Sequence, residues 1–213
     1  MNRNFDCVVV ANGLFPSREE VLAYLDEVPV LIACDGAAKT LLNKGFKPNA
    51  IVGDLDSLPE DIRYNSDFEV WHSEEQMTND LTKAVRFAHE KGYKRLLILG
   101  ATGLREDHTL GNISLLTEYI NLFDCVEMMS DFGVFIPMNR SRTFQSEPGQ
   151  QISIFCITPQ TELTTTGFRW EVANRRFECW WQGTLNEAVG EEFGISFEGE
   201  ARLVIYKSMV DFK

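Results

Sequence analysis

The sequence predicts an α/β protein, with an N-terminal doubly wound, mostly parallel-sheet domain followed by a small all-β sandwich domain. Over residues 1–137, short apolar runs alternate with amphipathic stretches, the pattern of buried parallel strands joined by crossover helices. Over residues 138–213, apolar residues alternate in period two between turns. The chain has 213 residues, of which 44% are hydrophobic and 24% charged, so it can bury a core.

Short apolar runs bounded by polar or turn-forming residues are the candidate strands of the first domain. Strands that are covered on both faces read as continuous apolar runs rather than as alternating ones. The candidates cover residues 7–11, 30–34, 50–53, 68–71, 95–100 and 125–129.

Amphipathic stretches between these runs predict helices. Ser17 is the candidate N-cap of the first, and the second is predicted over 36–43 with Gly45 as its end. The third and fourth carry apolar residues at helical spacing over 81–88 and 110–120, with Leu110 expected to face inward in the fourth.

The second domain is predicted from alternating runs at 151–157, 193–198 and 201–206. A module of this size is marginal by itself. We therefore expect it to pack against the first domain or a second subunit.

Charge and cysteine usage exclude several classes of partner. With 20 Lys and Arg against 32 Asp and Glu, the net charge of −12 disfavours nucleic acid and anionic membrane surfaces. No apolar stretch approaches the roughly 18 to 20 residues of a membrane span. The 5 cysteines are widely spaced and odd in number, which suggests free thiols in a reducing, cytoplasmic compartment.

Aspartates follow or flank the predicted strands. Ligands of an open parallel sheet bind at the carboxyl ends of its strands. Crowded carboxylates repel one another, so a cation is expected among them, and Mg²⁺ suits hard oxygen ligands best. Alternatively, each aspartate only caps a helix, a role that Asp35 and Asp107 could fill. The aspartates are Asp35, Asp54, Asp56, Asp80 and Asp107.

Two further patterns bear on ligand binding. In extended chain, Asp54 and Asp56 would point the same way and could reach one metal. The glycine-bearing turn at 100–103 offers backbone N–H groups to a phosphate, with Arg105 as a charged clamp. The turn matches neither the Walker A loop nor the dinucleotide fingerprint.

In their order and separations, several segments resemble the thiamine pyrophosphokinase family. The most specific are 53–57 and 100–108, and 35–38 and 76–81 support them. In the second domain, segments 166–170 and 183–187 resemble the thiamine-side segments of that family. The chain departs from the family's usual residues at Ala37, Met77, Leu104 and Leu185.

The resemblance implies an enzyme that transfers the diphosphoryl group of ATP to the hydroxyl of thiamine, giving thiamine diphosphate and AMP. It implies that 1–137 is a nucleotide-binding catalytic domain, and that 138–213 is a β-sandwich for thiamine binding and dimerisation. In the implied homodimer, thiamine sits between the first domain of one subunit and the second domain of the other.

The resemblance also implies roles for individual residues. As catalytic residues it implies Asp54, Asp56, Asp80, Asp107 and Arg105, of which Asp54, Asp56 and Asp80 hold Mg²⁺. Along ATP it implies Asp35, Gly36, Thr102, Gly103, Arg105 and His108. Against thiamine it implies Gln76, Trp170, Thr184 and Asn186.

An aromatic cluster near Trp170 suits a cationic thiazolium ring, although core packing is the expected role of its other members. The cluster comprises Phe168, Trp170, Phe177, Trp180 and Trp181. Two other functions fit the acidic residues: a diphosphokinase for another small alcohol, such as a hydroxymethyl-pterin, and a non-catalytic module that binds nucleotide or thiamine diphosphate.

Overall fold

The computed structural model describes residues 4–56, 58–64, 67–73, 75 and 77–209. The chain divides into two compact units, Met1–Asp131 (unit 1) and Phe132–Lys213 (unit 2). Two residues of the predicted motifs, Ser57 and Gln76, lie outside the described residues.

Unit 1 alternates strands and helices along the chain. Its strands are β1 (Cys7–Val10), β2 (Val30–Cys34), β3 (Ala50–Gly53), β4 (Glu69–His72), β5 (Arg95–Leu99) and β6 (Cys125–Ser130). Its helices are α1 (Glu19–Glu27), α2 (Asp35–Asn43), α3 (Glu60–Arg63), α4 (Asp80–Glu90) and α5 (Glu106–Tyr119). The predicted strands all recur within a residue or so of these bounds.

The strands of unit 1 pair in parallel, in the order β6-β5-β1-β2-β3-β4. The chain runs outward from β1 to β4 and then returns to the other side of β1 with β5. Such a change of direction opens a crevice at the carboxyl ends of the two strands that flank it, here β1 and β5. β1 is a fully buried apolar run, and so is β5 after its first residue, Arg95, as expected when helices cover a sheet.

Unit 2 consists of strands only, within the residues that the structure describes. They are β7 (Gly133–Met138), β8 (Arg142–Gln145), β9 (Gln151–Cys156), β10 (Glu162–Thr166), β11 (Arg175–Arg176), β12 (Gly183–Glu187), β13 (Glu192–Ser196) and β14 (Leu203–Ser208). They pair antiparallel in the orders β12-β9-β14-β7 and β11-β10-β13-β8. The predicted fold class, a parallel α/β domain followed by an all-β module, is confirmed.

The boundary between the two units lies earlier in the sequence than the expected one after residue 137. The change in sequence texture at Pro137 falls inside β7, which pairs with β14 from Gly133 to Met138. The backbone hydrogen bonds of this strand therefore belong to unit 2, and the compact units separate between Asp131 and Phe132.

The predicted inner face of the fourth helix is wrong at its start. Leu110 is 54% exposed, whereas Leu116 and Tyr119 are buried. Asn112 sets this phase, because its side-chain amide donates to the carbonyl oxygen of Ala101 at 2.8 Å and so turns inward. At 3.6 residues per turn, Leu110 then points to the opposite side of the helix.

The described residues contain neither a membrane-spanning helix nor a disulfide bond. None of the described helices has both the length and the hydrophobicity needed to cross a membrane. All five cysteines are free thiols, and burial together with the charge of Asp6 raises the pKa of Cys7 to about 12.

Ser17 does not cap the first helix as predicted. Helix α1 begins at Glu19 with Arg18 at the N-cap position, and the Ser17 hydroxyl donates to the Asp131 carboxylate at 2.6 Å. The backbone N–H groups of Ser17 and Arg18 also donate to this carboxylate, at 2.9 to 3.1 Å. Asp131 thus ties the turn before α1 to the end of β6.

We expect Asp131→Asn to lower the free energy of unfolding by about 1 kcal/mol at pH 7, the usual contribution of such hydrogen bonds. Partial burial raises the pKa of Asp131, but the hydrogen bonds from Ser17 and Arg18 outweigh it and leave that pKa below its usual value. A carboxyl whose pKa is lower in the folded than in the unfolded state stabilises the folded protein at pH values above its unfolded-state pKa. This stabilisation is lost as the pH falls through its folded-state pKa.

Urea unfolding between pH 7 and pH 3 measures this effect. The stabilities of wild type and Asp131→Asn should converge toward the acid end, while Asp124→Asn, on an exposed side chain just before β6, should match wild type throughout. A difference between wild type and Asp131→Asn that does not vary with pH would contradict the assignment.

Candidate functional site

A cavity of about 550 Å³ opens at the carboxyl ends of β1, β2, β3 and β5. Four of the predicted aspartates line it: Asp35, Asp54, Asp56 and Asp80. Because the carboxyl ends of parallel strands share one edge of the sheet, residues far apart in sequence meet here. We call this space the aspartate cavity.

Other predicted residues divide between this cavity and positions outside it. Gly36, Thr102, Arg105 and His108 also line the aspartate cavity. Gly103 and Asp107 are not among its lining residues.

Asp35 and Asp80 are first residues of helices, not caps. Asp35 begins α2 after Cys34, and Asp80 begins α4 after Asn79. Asp107 likewise lies inside α5, whose N-cap is Arg105. Carboxylates in the first turn face the positive end of the helix dipole, which partly offsets their mutual repulsion.

Two glycines make room for the aspartates and for the loop after β1. A Cβ atom on Gly53 would lie 2.5 Å from the Cβ of Asp35 and 3.5 Å from Oδ1 of Asp80. A Cβ atom on Gly36 would lie 2.3 Å from the side-chain nitrogen of Asn12. Larger residues at these positions would force the aspartates or the loop apart.

Asp54 and Asp56 reach the cavity through a turn rather than through extended chain as predicted. Leu55 between them has a φ of 63°, and the Asp56 N–H donates to Oδ1 of Asp54 at 3.2 Å. A left-handed leucine is strained, and such strain is common at functional sites. Burial of the Leu55 side chain, which is 4% exposed, holds the turn.

The loops after β1 and β5 are joined by backbone hydrogen bonds. The N–H of Gly13 donates to the carbonyl oxygen of Gly100 at 2.6 Å, and the N–H of Leu14 to that of Thr102 at 2.8 Å. A Cβ atom on Gly13 would lie 2.4 Å from the Gly100 oxygen. Asn12 and Gly13 line the cavity but were not predicted; their signal is an Asn-Gly pair directly after a buried strand.

A hydrogen-bond chain connects α4, α5 and the loop after β5. Asn79 accepts from the N–H of Thr82 at 2.9 Å, as the N-cap of α4, and donates to Oδ1 of Asn112 at 3.1 Å. Asn112 in turn donates to the carbonyl oxygen of Ala101. The start of α4, which carries Asp80, is thereby fixed relative to the glycine-bearing turn.

Arg105, the predicted phosphate clamp, is paired with Asp107. Its Nε and Nη2 atoms donate to the two carboxylate oxygens at 3.1 and 2.6 Å. The Arg105 hydrogen bonds lower the pKa of Asp107 below its usual value. Both side chains are well exposed, so the pair is open to exchange with an anion.

The oxygen donors of the aspartate cavity fit Mg²⁺. Among the described residues, no group of three or more His, Cys, Asp and Glu side chains lies close enough to hold a metal ion by itself. Mg²⁺ is usually bound by one or two carboxylates together with water and substrate phosphates. The donors present therefore suit a Mg²⁺ ion that is shared with a phosphate-bearing ligand.

Unit 2 has a cavity of about 290 Å³, which is lined by residues of both sheets of the unit. Among them are Trp170, Thr184, Leu185 and Asn186. We call this space the Trp170 cavity. The side-chain amide of Asn186 donates to the Trp170 carbonyl oxygen at 2.8 Å and its oxygen accepts from the Trp170 N–H at 3.2 Å. These bonds fix a tryptophan that is 59% exposed.

The aromatic cluster is only partly core. Phe168 and Phe177 are each 3% exposed, in agreement with core packing, whereas Trp180 and Trp181 are 47% and 60% exposed, which contradicts it.

A register shift in β12 between Gly183 and Asn186 brings Leu185 to a φ of 60° on the rim of the Trp170 cavity. Bulges of this kind often re-aim side chains next to functional sites.

The chain matches two family models and several known proteins. The models described as "Thiamin pyrophosphokinase, catalytic domain" and "Thiamin pyrophosphokinase, substrate-binding domain" match residues 21–129 and 133–206. Thiamine pyrophosphokinase of Bacillus subtilis (strain 168) is 30% identical over 175 residues, which are 78% of this chain and 81% of that protein. Thiamine pyrophosphokinase 1 of Oryza sativa subsp. japonica is 32% identical over 164 residues, 70% of this chain and 61% of that protein.

Solved structures show the same likeness over nearly the whole chain. The crystal structure of thiamine pyrophosphokinase from Bacillus subtilis has a TM-score of 0.79 and 26% identity, and covers 95% of this chain and 98% of its own. That of thiamin pyrophosphokinase from Geobacillus thermodenitrificans has a TM-score of 0.78 and 26% identity, and covers 97% and 98%. The likeness thus includes both units.

We expect Asn112→Ala to lower the free energy of unfolding by about 1 to 3 kcal/mol, because it leaves the Ala101 carbonyl and the Asn79 amide without their partner. Asn121→Ala is the matched control, an exposed asparagine just after the same helix. Chemical denaturation of both variants measures the difference. Equal stabilities would show that the chain of hydrogen bonds contributes nothing to the fold.

Proposed function

Because the chain belongs to the thiamin pyrophosphokinase family, we propose that it transfers the diphosphoryl group of ATP to the hydroxyl of thiamine, which yields thiamine diphosphate and AMP. The observation that carries this proposal is the aspartate cavity, which Asp54, Asp56 and Asp80 line together with Arg105. A negative cavity that also contains a guanidinium suits a triphosphate that arrives with its metal.

In this proposal, Asp54, Asp56 and Asp80 would hold Mg²⁺ through their carboxylate oxygens only together with water and the phosphates of ATP. When bound, the ion would offset negative charge on the phosphates. Asp35, which is 2% exposed beside Gly53, completes the acidic wall of the cavity. The protein supplies positioning and electrostatics, which dominate phosphoryl-transfer catalysis.

The nucleotide phosphates would bind along the loop after β5 and the start of α5. Thr102 and His108 line the cavity there, and Gly103 has a φ of 89°, which suits a tight turn. Arg105 would exchange its bond with Asp107 for one with a phosphate oxygen. Gly36, which lines the cavity at the start of α2, would lie along the nucleotide.

The transfer itself would be an in-line displacement. The thiamine hydroxyl oxygen forms a bond to the β-phosphorus while the bond from that phosphorus to the α-phosphate oxygen breaks, and AMP leaves. A cavity aspartate would take the hydroxyl proton. Arg105 would offset charge on the transferred group and on AMP.

Thiamine would bind at the Trp170 cavity, where Thr184 and Asn186 supply polar contacts; Gln76, the fourth residue proposed for thiamine, lies outside the described residues. The implied homodimer would let unit 1 of one copy and unit 2 of the other serve the same thiamine. A cytoplasmic location, suggested by the free thiols, stays a prediction.

The test is to incubate the protein with thiamine, ATP and Mg²⁺ and to measure AMP and thiamine diphosphate, with and without EDTA. We expect equal amounts of the two products and none with EDTA. A hydroxymethyl-pterin in place of thiamine tests the other diphosphokinase. Binding of ATP or thiamine diphosphate without any turnover would favour a non-catalytic module.

Asp54→Asn should abolish turnover and leave the fold intact, because it removes a charged oxygen ligand while keeping the shape of the side chain. Asp26→Asn, on the exposed face of α1, is the control and should retain full activity. Circular dichroism checks the fold of both variants. Near-normal activity of Asp54→Asn would refute its role in metal binding.

Trp170→Ala should raise the KM for thiamine about three- to tenfold and leave the KM for ATP unchanged, because it removes a ring that attracts the cationic thiazolium. The Arg169 guanidinium lies 5.6 Å from the centre of this ring, so it competes for the same electrons. Trp181→Ala, equally exposed but not lining the cavity, is the control. Equal increases in the KM for thiamine in Trp170→Ala and Trp181→Ala would contradict the role of Trp170 in thiamine binding.

A further inference from the structure

Lys83 carries an ammonium group in the interior of unit 1. Its side chain is 5% exposed, and it lies on α4, which packs on β1, β2 and β3. An ammonium that leaves water loses much of its hydration energy, so buried lysines are rare unless paired. The proposed reaction assigns no role to this residue.

The partner of Lys83 is one of the proposed metal ligands. Its Nζ atom donates to Oδ1 of Asp80 at 3.2 Å, three residues earlier on the same helix. Asp80 is 39% exposed and lines the aspartate cavity, whereas Lys83 is not among the lining residues. The ammonium therefore contacts the Asp80 carboxylate from the protein interior, while the same carboxylate faces the cavity on its other side.

The surroundings of this ion pair are strongly negative. Asp35 and Asp80 both approach the Cα of Gly53, as the 2.5 and 3.5 Å distances to a Cβ there show. Burial raises the pKa of the Cys34 thiol, and the charges of Asp80 and Asp35 raise it further. Two carboxylates thus act on the same buried group, with Asp54 and Asp56 in the same cavity.

We propose that the Lys83 ammonium is a built-in counter-ion of the aspartate cavity, which offsets part of the carboxylate repulsion and holds Asp80 in place while neither metal nor substrate is bound. Lys83 is a positioning residue, since it acts through Asp80. The first test below is independent of the proposed function, and the second rests on its metal site.

The first test is a double-mutant cycle on thermal unfolding in EDTA, with Lys83→Met, Asp80→Asn and the double variant. Asp80→Asn leaves the buried Lys83 ammonium without its charged partner, and Lys83→Met leaves the part-exposed Asp80 facing the other carboxylates without its counter-charge. We expect both to lower the Tm, Asp80→Asn by about 4 °C or more. The double variant should lose clearly less than the sum, because neither charge remains. Additive losses would overturn the proposal.

Lys91→Met is the matched control for this cycle. Lys91 follows α4 and pairs with Glu69 at 2.9 Å, but its side chain is 42% exposed and lies away from the cavity. We expect its Tm to stay within about 2 °C of wild type. If Lys83→Met does not fold by itself, Lys83→Gln replaces it in the same cycle.

The second test titrates Mg²⁺ alone, without substrates, and follows the rise in Tm. Removal of one fixed positive charge makes the cavity more negative, and both charges of Mg²⁺ respond to that change. The Mg²⁺ concentration at half-maximal stabilisation should fall about threefold or more in Lys83→Met and stay unchanged in Lys91→Met. Equal or higher values in Lys83→Met would overturn the proposal.

The two tests separate this inference from the proposed function. A wild-type protein that Mg²⁺ does not stabilise would contradict the proposed metal site. The cycle in EDTA would then still decide whether Lys83 is the counter-ion of Asp80, since no metal takes part in it.

Discussion

Carboxylates gathered at one edge of a parallel sheet repel one another, and the surroundings of the aspartate cavity are arranged to contain that repulsion. Asp35 and Asp80 begin α2 and α4, where the positive ends of the helix dipoles stabilise negative charge. Gly53 lets both approach β3. The ammonium of Lys83 adds a fixed positive charge behind Asp80. A divalent ion with its phosphate ligand would complete the neutralisation.

The rigid frame of the cavity comes from the order of the strands. Because β5 returns beside β1, the loops after these strands bond to each other through Gly13 and Gly100. The Asn79–Asn112 hydrogen bond extends this frame to α4 and α5. Preorganised groups lose little energy to rearrangement during a reaction, which is what a catalyst that acts mainly by positioning requires. The Arg105–Asp107 ion pair, by contrast, is exposed, so Arg105 can exchange Asp107 for an anionic ligand.

Unit 2 offers a different chemistry. Its cavity has an aromatic ring, an amide and a hydroxyl in Trp170, Asn186 and Thr184, and its one charged lining residue within the described chain is Arg175. The exposed Trp170 ring suits a flat cationic ring, and the amide and hydroxyl suit its polar substituents. The division of the chain into an acidic α/β unit and an aromatic β unit thus parallels the two substrates of the proposed reaction, a metal-bound triphosphate and thiamine.

Apolar periodicity and the shared edge of parallel strands are local rules, so they were enough to predict the alternation of strands and helices in unit 1 and the aspartates at the strand ends. Short strands of unit 2 such as β8 and β11 were not predicted, since their few residues are mostly exposed and carry little periodicity. The roles of Asn12, Asn112 and Lys83 became visible in the folded chain alone. Each depends on which loops and helices the strand order brings together, and on how deeply each side chain is then buried, which no local pattern encodes.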